Sequence, residues 1–158
     1  MSRQTINDTF TLSIPDSFEC MRSTELQELS RNDGDPYRWG ARNREKHILL
    51  VVLWKPVPAI LGWLADLKGI AKRNAALTAR AYAEHGYQFL QSDSLDNGQI
   101  KAEGYQFAYS AGSIRQMATN FLVKDRKMVY SFIWIGREEN TASDRALFRD
   151  VMESLQHV

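Results

Sequence analysis

The longest apolar run of the sequence is Ile48-Leu49-Leu50-Val51-Val52-Leu53-Trp54. No polar residue interrupts it, and β-branched residues contribute much of it. A strand with one face in water alternates apolar and polar residues, whereas a strand covered on both faces can be apolar throughout. The run therefore predicts a central strand with a packed layer on each side of its sheet.

Shorter elements are predicted before this strand. Apolar and polar residues alternate over 9–14, which is the pattern of a half-buried strand. Ser23 or Thr24 can cap a short helix through 25–29. Another strand is predicted at 37–41, so that at least two strands and one helix lead up to the central strand.

A long helix is predicted after the central strand, from Ala59 to His85, with Gly86 as its left-handed cap. The 3.6-residue period places a set of apolar side chains on its inner face. These are Ile60, Trp63, Leu64, Leu67, Ile70, Ala71, Leu77, Ala81 and Tyr82. Asn74 falls in the middle of this face, so its amide is expected to find partners in the sheet backbone or a buried water.

The rest of the chain predicts a four-stranded meander and a closing helix. The strands are expected at 87–92, 100–109, 115–123 and 128–135, with a tight turn at Asn97-Gly98. Alternation places Tyr105, Phe107 and Tyr109 on one face of the second of these strands. Thr141 is the expected cap of the closing helix. Its buried stripe is formed by Leu147, Phe148, Val151 and Leu155.

The order of elements predicts an α+β domain. An antiparallel sheet of about six to seven strands is expected between helices on both faces. No repeat, linker or low-complexity stretch divides the chain, so residues 1–158 are expected to form a single domain.

Composition excludes several classes of function. The net charge is +1, and a nucleic-acid-binding protein usually carries a basic excess, so no nucleic acid is expected as partner. The only cysteine, Cys20, excludes an intrachain disulfide. The chain shows no signal-peptide pattern and no apolar run near the roughly 20 residues that cross a bilayer. A soluble, cytoplasmic protein without a membrane partner is therefore expected.

No catalytic or metal site is predicted. His47, His85 and His157 lie on different elements and make no metal-ligand pair. Cys20 has no histidine or second cysteine near it in sequence, so we expect a small buried side chain rather than a nucleophile. Since the glycines form no phosphate-binding loop, the sequence predicts neither a cofactor nor an enzyme.

Aromatic and cationic residues cluster in the hairpin that precedes the central strand. The candidate partner-binding residues there are Tyr37, Arg38, Trp39, Arg42 and Arg44. Strand alternation would place Tyr37 and Trp39 on one side and Arg38 on the other. Aromatic residues and arginine dominate the energetics of protein interfaces. They also stack on nucleobases, so a site for single-stranded nucleic acid is a second interpretation, which the net charge disfavours. Alternatively, the two aromatic side chains close the end of the core and the charges are solvated.

Small residues recur every seven positions on the long helix. They are Gly62, Gly69, Ala76 and Ala83. Glycine inside a helix costs about 0.8–1 kcal/mol relative to alanine, so Gly62 and Gly69 suggest a face that another backbone approaches closely. The alternative is an exposed helix whose alanines serve helix propensity alone.

The chain resembles the PsbP-like and DcrB-like superfamily in three features. These are the order of its elements, the helix around 148–154 and the opening stretch Phe10-Thr11-Leu12-Ser13-Ile14-Pro15-Asp16-Ser17-Phe18. The eukaryotic Ran-binding nucleotide-release protein shares that fold group. The resemblance implies a PsbP-like sandwich and a non-enzymatic role in binding, assembly or chaperone-like adaptor work, as in bacterial relatives that accompany secreted toxins. It assigns no functional residue.

Two functions remain open from the sequence. The first is a bacterial protein-binding adaptor or chaperone-like factor whose partner is another protein or a second copy of this chain. The second is a small-molecule-binding protein or enzyme with a pocket between sheet and helices. The residues expected to line that pocket are Trp54, Trp63, Tyr109, Tyr130 and Trp134.

Overall fold

The structure is a computed structural model that describes residues 1–30, 35–57 and 65–158. Its strands are β1 Ser2–Ile6, β2 Phe10–Ile14, β3 Glu19–Cys20, β4 Trp39–Asn43, β5 Ile48–Pro56, β6 Gln88–Asp96, β7 Lys101–Ala111, β8 Ile114–Asp125, β9 Met128–Arg137 and β10 Gln156–His157. Its α-helices are α1 Ser23–Leu29, α2 Leu67–Ala81 and α3 Thr141–Glu153. Short 3-10 turns occupy Ala83–His85 and Glu138–Asn140.

An antiparallel sheet of seven strands in the order β3-β4-β5-β9-β8-β7-β6 forms the middle layer. The run 48–54 becomes β5, which lies between β4 and β9. Val51 and Val52 point to opposite faces of the sheet, and both are fully buried. The prediction of a central strand is therefore confirmed, and a side chain on each of its faces is buried at 51 and 52.

The larger core lies on one face of this sheet, between it and a layer made by α3 and the small sheet β1-β2-β10. We call it the main core. Phe10 and Leu12 from β2, Phe132 from β9 and Phe148 from α3 are buried there. The predicted sandwich is thus α+β as expected, but one of its outer layers is part sheet, because β1 pairs along the whole of β2.

The opposite face is covered by α2, which packs on β7 and β8. Tyr105, Phe107 and Tyr109 alternate along β7 and form the core of this face together with Ala71 of the helix. The predicted placement of these three aromatic residues on one face is confirmed. Since α2 lies over β7 and β8, it leaves the neighbouring part of the sheet less well covered.

The long helix is shorter than predicted. The backbone of Asp66 is extended, and its Oδ1 accepts a hydrogen bond from the Gly69 amide, which begins α2 at Leu67. The helix ends at Ala81, and Gly86 at φ +65° is the left-handed residue after the following 3-10 turn. Leu77, predicted on the inner face, is 51% exposed. Residues 58–64 of the predicted helix lie outside the described residues.

The start of α3 also differs from the prediction. Thr141, the expected cap, is instead the first residue of the helix, and its hydroxyl donates to the Glu138 carbonyl. Asp144 turns inward against Gly136 and is 8% exposed. Its Oδ2 has no hydrogen-bond partner among the residues that the structure describes. Burial raises the pKa of Asp144, and the charge of Lys46 opposes part of the rise.

Replacing Asp144 with asparagine is expected to stabilise the fold at neutral pH. Because the folded-state pKa is raised, the unfolded chain loses this proton first as pH increases, and wild-type stability falls between the ordinary aspartate pKa, about 3.9, and the higher folded value. Above that window the Asp144→Asn variant should be the more stable protein, and below it the difference should vanish. Urea unfolding at pH 7 and pH 3 measures this.

Asp150, which is exposed on the same helix, supplies the matched control. Asp150→Asn should change the free energy of unfolding by less than about 0.5 kcal/mol at neutral pH. A wild-type protein more stable than Asp144→Asn at neutral pH would contradict the burial of an ionised carboxyl.

Candidate functional site

A groove runs along α2 on the side that faces β5 and β9. We call it the α2 groove, and its walls include Tyr37, Leu53, Leu77, Tyr82, Ile133 and Ile135. Leu53, Ile133 and Ile135 are only half-buried, because α2 packs mainly on β7 and β8. Apolar side chains from the sheet and from the helix therefore meet in one surface depression.

Three neighbouring cavities lie along the groove, and adjacent ones share lining residues. The cavity beside the hairpin has a volume of about 590 Å³, the middle one about 330 Å³, and the one beside the start of α2 about 420 Å³. The first two share Tyr37, Tyr82 and Ile135, and the last two share Leu53 and Leu77 among others. An elongated shape of this kind suits an extended occupant.

The floor of the middle cavity carries a polar cluster. Tyr105 donates its hydroxyl hydrogen to Asn74 Oδ1 and lies 2.7 Å from Thr78 Oγ1. Asn120 Nδ2 lies 3.0 Å from Asn74 Oδ1 and 3.2 Å from the Tyr105 hydroxyl. Burial raises the pKa of Tyr105, while the hydrogen bonds of Thr78 and Asn120 oppose part of the rise. The hydroxyl is therefore neutral at physiological pH and remains a donor.

Asn74 has hydrogen-bond partners in the sheet, as predicted. These partners are side chains, however, and not the sheet backbone that was expected. Asn120 was missed by the sequence analysis. The signal was available, since Asn120 interrupts the apolar part of a strand as Asn74 interrupts an apolar helix face.

The aromatic residues of the predicted hairpin site point to different places. Tyr37 lies before β4 and lines the α2 groove, and its amide donates to Ser30 Oγ at 2.8 Å. Trp39 is the first residue of β4 and packs against the main core. The expectation that both lie on one side is wrong, because Tyr37 precedes the strand whose alternation was assumed.

The arginines of the hairpin interact with neighbouring side chains of the same chain. Arg42 forms an ion pair with Glu25, and Arg44 Nε lies 3.2 Å from Glu19 Oε2. The pKa of Glu25 is lowered by a hydrogen bond from the Arg22 backbone amide and by a second one from the Arg42 side chain. The Arg38 guanidinium lies 5.6 Å from the centre of the Trp54 ring. The two ion pairs connect the hairpin to α1 and β3, and Arg42 and Arg44 also line the first cavity.

The small-residue face of the helix is not continuous. Gly62 lies outside the described residues, and Ala83 belongs to a 3-10 turn after the helix. Gly69 is in the first turn of α2, where a Cβ would lie 2.8 Å from Asp66 Oδ1. The helix cap therefore explains this glycine, which also borders the third cavity. The structure places Gly69 at one end of the α2 groove and Tyr37, Arg42 and Arg44 at the other.

The pocket expected from the sequence is not formed by the residues named for it. Trp54, Tyr130 and Trp134 belong to the main core, whereas Tyr109 lies on the opposite face under α2. Trp63 lies outside the described residues.

Similarity to known proteins is found at the level of structure. No protein-family model and no curated protein matches the sequence. The solved structure of cyanobacterial PsbP, CyanoP, from Synechocystis sp. PCC 6803 superposes with a TM-score of 0.71 at 12% identity, over 99% of this chain and 92% of that one. The chain has the PsbP-like fold.

Other proteins of the PsbP-like fold superpose as well. LpqN, involved in cell envelope biogenesis of Mycobacterium tuberculosis, matches at a TM-score of 0.59 and 13% identity, over 94% of this chain and 83% of its own. The Saccharomyces cerevisiae Ran-binding protein Mog1p matches at a TM-score of 0.59 and 10% identity, over 93% of this chain and 89% of its own. At sequence identities this low, the similarity shows a shared fold and nothing about function.

In this PsbP-like chain the described residues contain no group of three or more His, Cys, Asp or Glu side chains that could hold a metal. Cys20, expected to be buried, is exposed on β3 at the edge of the sheet, with its Sγ 3.4 Å from Gln4 Oε1. Of the helices that the structure describes, none has the length and apolar character needed to cross a membrane.

Proposed function

We propose that the protein is a non-catalytic binding module, an adaptor or chaperone-like factor that holds a segment of another protein in the α2 groove. The observation that carries this proposal is the row of apolar side chains along the groove: Leu53, Leu77, Ile133 and Ile135 are half-buried or exposed and lie side by side. Contiguous apolar surface of this kind marks binding sites in soluble proteins.

The shape and charge of the groove favour a protein partner. Three neighbouring cavities in a row suit an extended chain segment, and the net charge of +1 gives no reason to expect nucleic acid. Mog1p, which shares the fold, is described as Ran-binding, so a protein partner has a precedent in this fold group. The free, exposed thiol of Cys20 is in keeping with a reducing compartment such as the cytoplasm.

Replacing Leu77 with glutamate is expected to weaken partner binding at least tenfold, because a charge would be forced against the apolar partner surface. Leu77 is 51% exposed on α2, so the substitution should leave the fold intact. Ile114→Glu is the matched control: Ile114 is 41% exposed at the β7–β8 turn, away from the groove. Affinity capture from native extract with quantitative mass spectrometry measures both.

A partner lost by Leu77→Glu and kept by Ile114→Glu would support the groove as the binding site. A partner kept equally by both variants would contradict it. Recovery of the same chain, confirmed by sedimentation of the purified protein, would identify a second copy as the occupant. Trp39 and Arg42 are less suitable positions, because the first packs on the main core and the second pairs with Glu25.

A further inference from the structure

The turn between β6 and β7 contains the only Asn-Gly pair of the sequence, Asn97-Gly98. Gly98 is exposed and adopts φ +86°, a conformation that suits glycine. Because glycine has no side chain, its backbone nitrogen is the least hindered group that can attack the side-chain amide of a preceding asparagine. The pair is therefore the position of this chain at which an asparagine is most reactive.

The fold uses both ends of the Asn97 side-chain amide. Its Nδ2 donates to the backbone carbonyls of Glu153 and Leu155, at 3.0 Å and 2.8 Å. Its Oδ1 accepts from the backbone amides of Gln99 and Ile100, at 3.0 Å and 2.8 Å. Carbonyls at the end of a helix lack partners within the helix, and here this side chain supplies them. The amide thus joins the β6–β7 turn to the end of α3.

An Asn-Gly pair deamidates through a five-membered ring. The Gly98 nitrogen gives its proton to base and attacks Cγ of Asn97, and the bond from Cγ to Nδ2 breaks. The leaving nitrogen takes up a proton and departs as ammonia, so a succinimide remains. Water then opens the ring at either of its carbonyl groups and gives aspartate or isoaspartate. The net reaction consumes one water and releases one ammonia.

The folded protein opposes both parts of this reaction. The Gly98 amide donates to Asp96 Oδ1 at 2.9 Å, and a carboxylate acceptor makes this proton harder to remove. The leaving nitrogen is held by the carbonyls of Glu153 and Leu155. Ring closure at Asn97 therefore requires that the turn first separate from the end of α3.

We propose that Asn97 is a site of spontaneous deamidation that is closed while the end of α3 is docked on the β6–β7 turn and reacts when the two separate. The product cannot dock as before, because a carboxylate has no hydrogen to donate and would face two carbonyl oxygens. The modification is therefore one-way. None of these residues lines the α2 groove, so the site stands apart from the proposed adaptor function.

Mass spectrometry of the wild-type protein tests the closed state. The protein is kept at pH 8 in buffer and, in parallel, unfolded in guanidinium chloride, and is then cut with trypsin. Residues 81–101 form one tryptic peptide, in which Asn97 is the only asparagine. The unfolded chain should convert this peptide to aspartate and isoaspartate forms at least about tenfold faster than the folded protein. Asn140, which precedes Thr141, is the internal control and should stay unchanged.

Two leucine variants test whether the opening is local. Leu155 at the end of α3 and Leu50 in β5 are both fully buried, so alanine at either position destabilises the fold. If the end of α3 controls access, Leu155→Ala should accelerate conversion at Asn97 in buffer several-fold more than Leu50→Ala does. Equal acceleration would contradict a local opening.

The Asn97→Asp variant reproduces one product directly. Its unfolding equilibrium constant in urea should be at least about tenfold larger than that of the wild type, because two carbonyls lose their donor. Asn140→Asp is the matched control, since Asn140 makes no side-chain capping bond. An Asn97→Asp variant as stable as the wild type would overturn the proposal. So would equal conversion rates in the folded and unfolded wild type, a comparison that needs no variant to fold.

Discussion

Replacing Phe148 with alanine is expected to lower the free energy of unfolding by about 3–5 kcal/mol. Phe148 is 1% exposed and joins α3 to the sheet. Its ring stacks on Trp134 at 5.1 Å between centroids and lies 5.6 Å from the ring of Phe121. The loss combines the transfer of a large apolar side chain with a cavity that its aromatic neighbours cannot close. Urea unfolding followed by tryptophan fluorescence gives the value.

Phe89→Ala is the control for this prediction. Phe89 lies on the edge strand β6 and is 49% exposed, so its removal leaves no buried cavity and should cost less than about 1 kcal/mol. Equal losses for the two variants would contradict the placement of Phe148 at the centre of the main core. A Phe148→Ala variant that does not fold at all would agree with this placement, since the whole free energy of unfolding of a single domain is only about 5–15 kcal/mol.

The strands and their faces could be predicted because their signal is local. Alternation placed Tyr105, Phe107 and Tyr109 on one side, and the unbroken run at 48–54 gave the two-sided strand. The ends of α2 could not be predicted in the same way. The apolar period of the sequence continues across Asp66, but this aspartate turns its carboxylate to the Gly69 amide and begins a helix there.

The α2 groove could not be predicted from local patterns, because it results from where a helix lies on a sheet. The period of α2 identifies an inner face but does not say that the helix covers β7 and β8 and leaves β5 and β9 half-exposed. The same limit explains Tyr37 and Trp39, whose different surroundings depend on a strand that begins at Trp39. The position of Asn74 on an apolar helix face predicted that its amide has partners in the sheet, but the helix pattern could not name Tyr105 and Asn120 as those partners.

Replacing Gly104 with alanine is expected to cost about 3 kcal/mol, because a Cβ at this position would overlap the backbone carbonyl of Asn120. Gly104 pairs with Phe121 across β7 and β8, and β7 also has β6 on its other side. The same Cβ would lie 2.9 Å from Phe121 Cδ1. A flexible side chain could move aside, but a carbonyl held in a strand pair cannot move without spreading β7 from β8. Urea unfolding with an unchanged dependence on denaturant measures the loss.

Gly112→Ala separates this clash from the general cost of replacing glycine. A Cβ at Gly112 would meet nothing within 4 Å, but φ is +62°, so alanine there should cost only about 1 kcal/mol. Equal losses at the two positions would show that the approach of β8 to Gly104 is not tight. If Gly104→Ala folds, the new Cβ displaces the backbone carbonyl of Asn120. The Asn120 side chain on the floor of the α2 groove should then move as well.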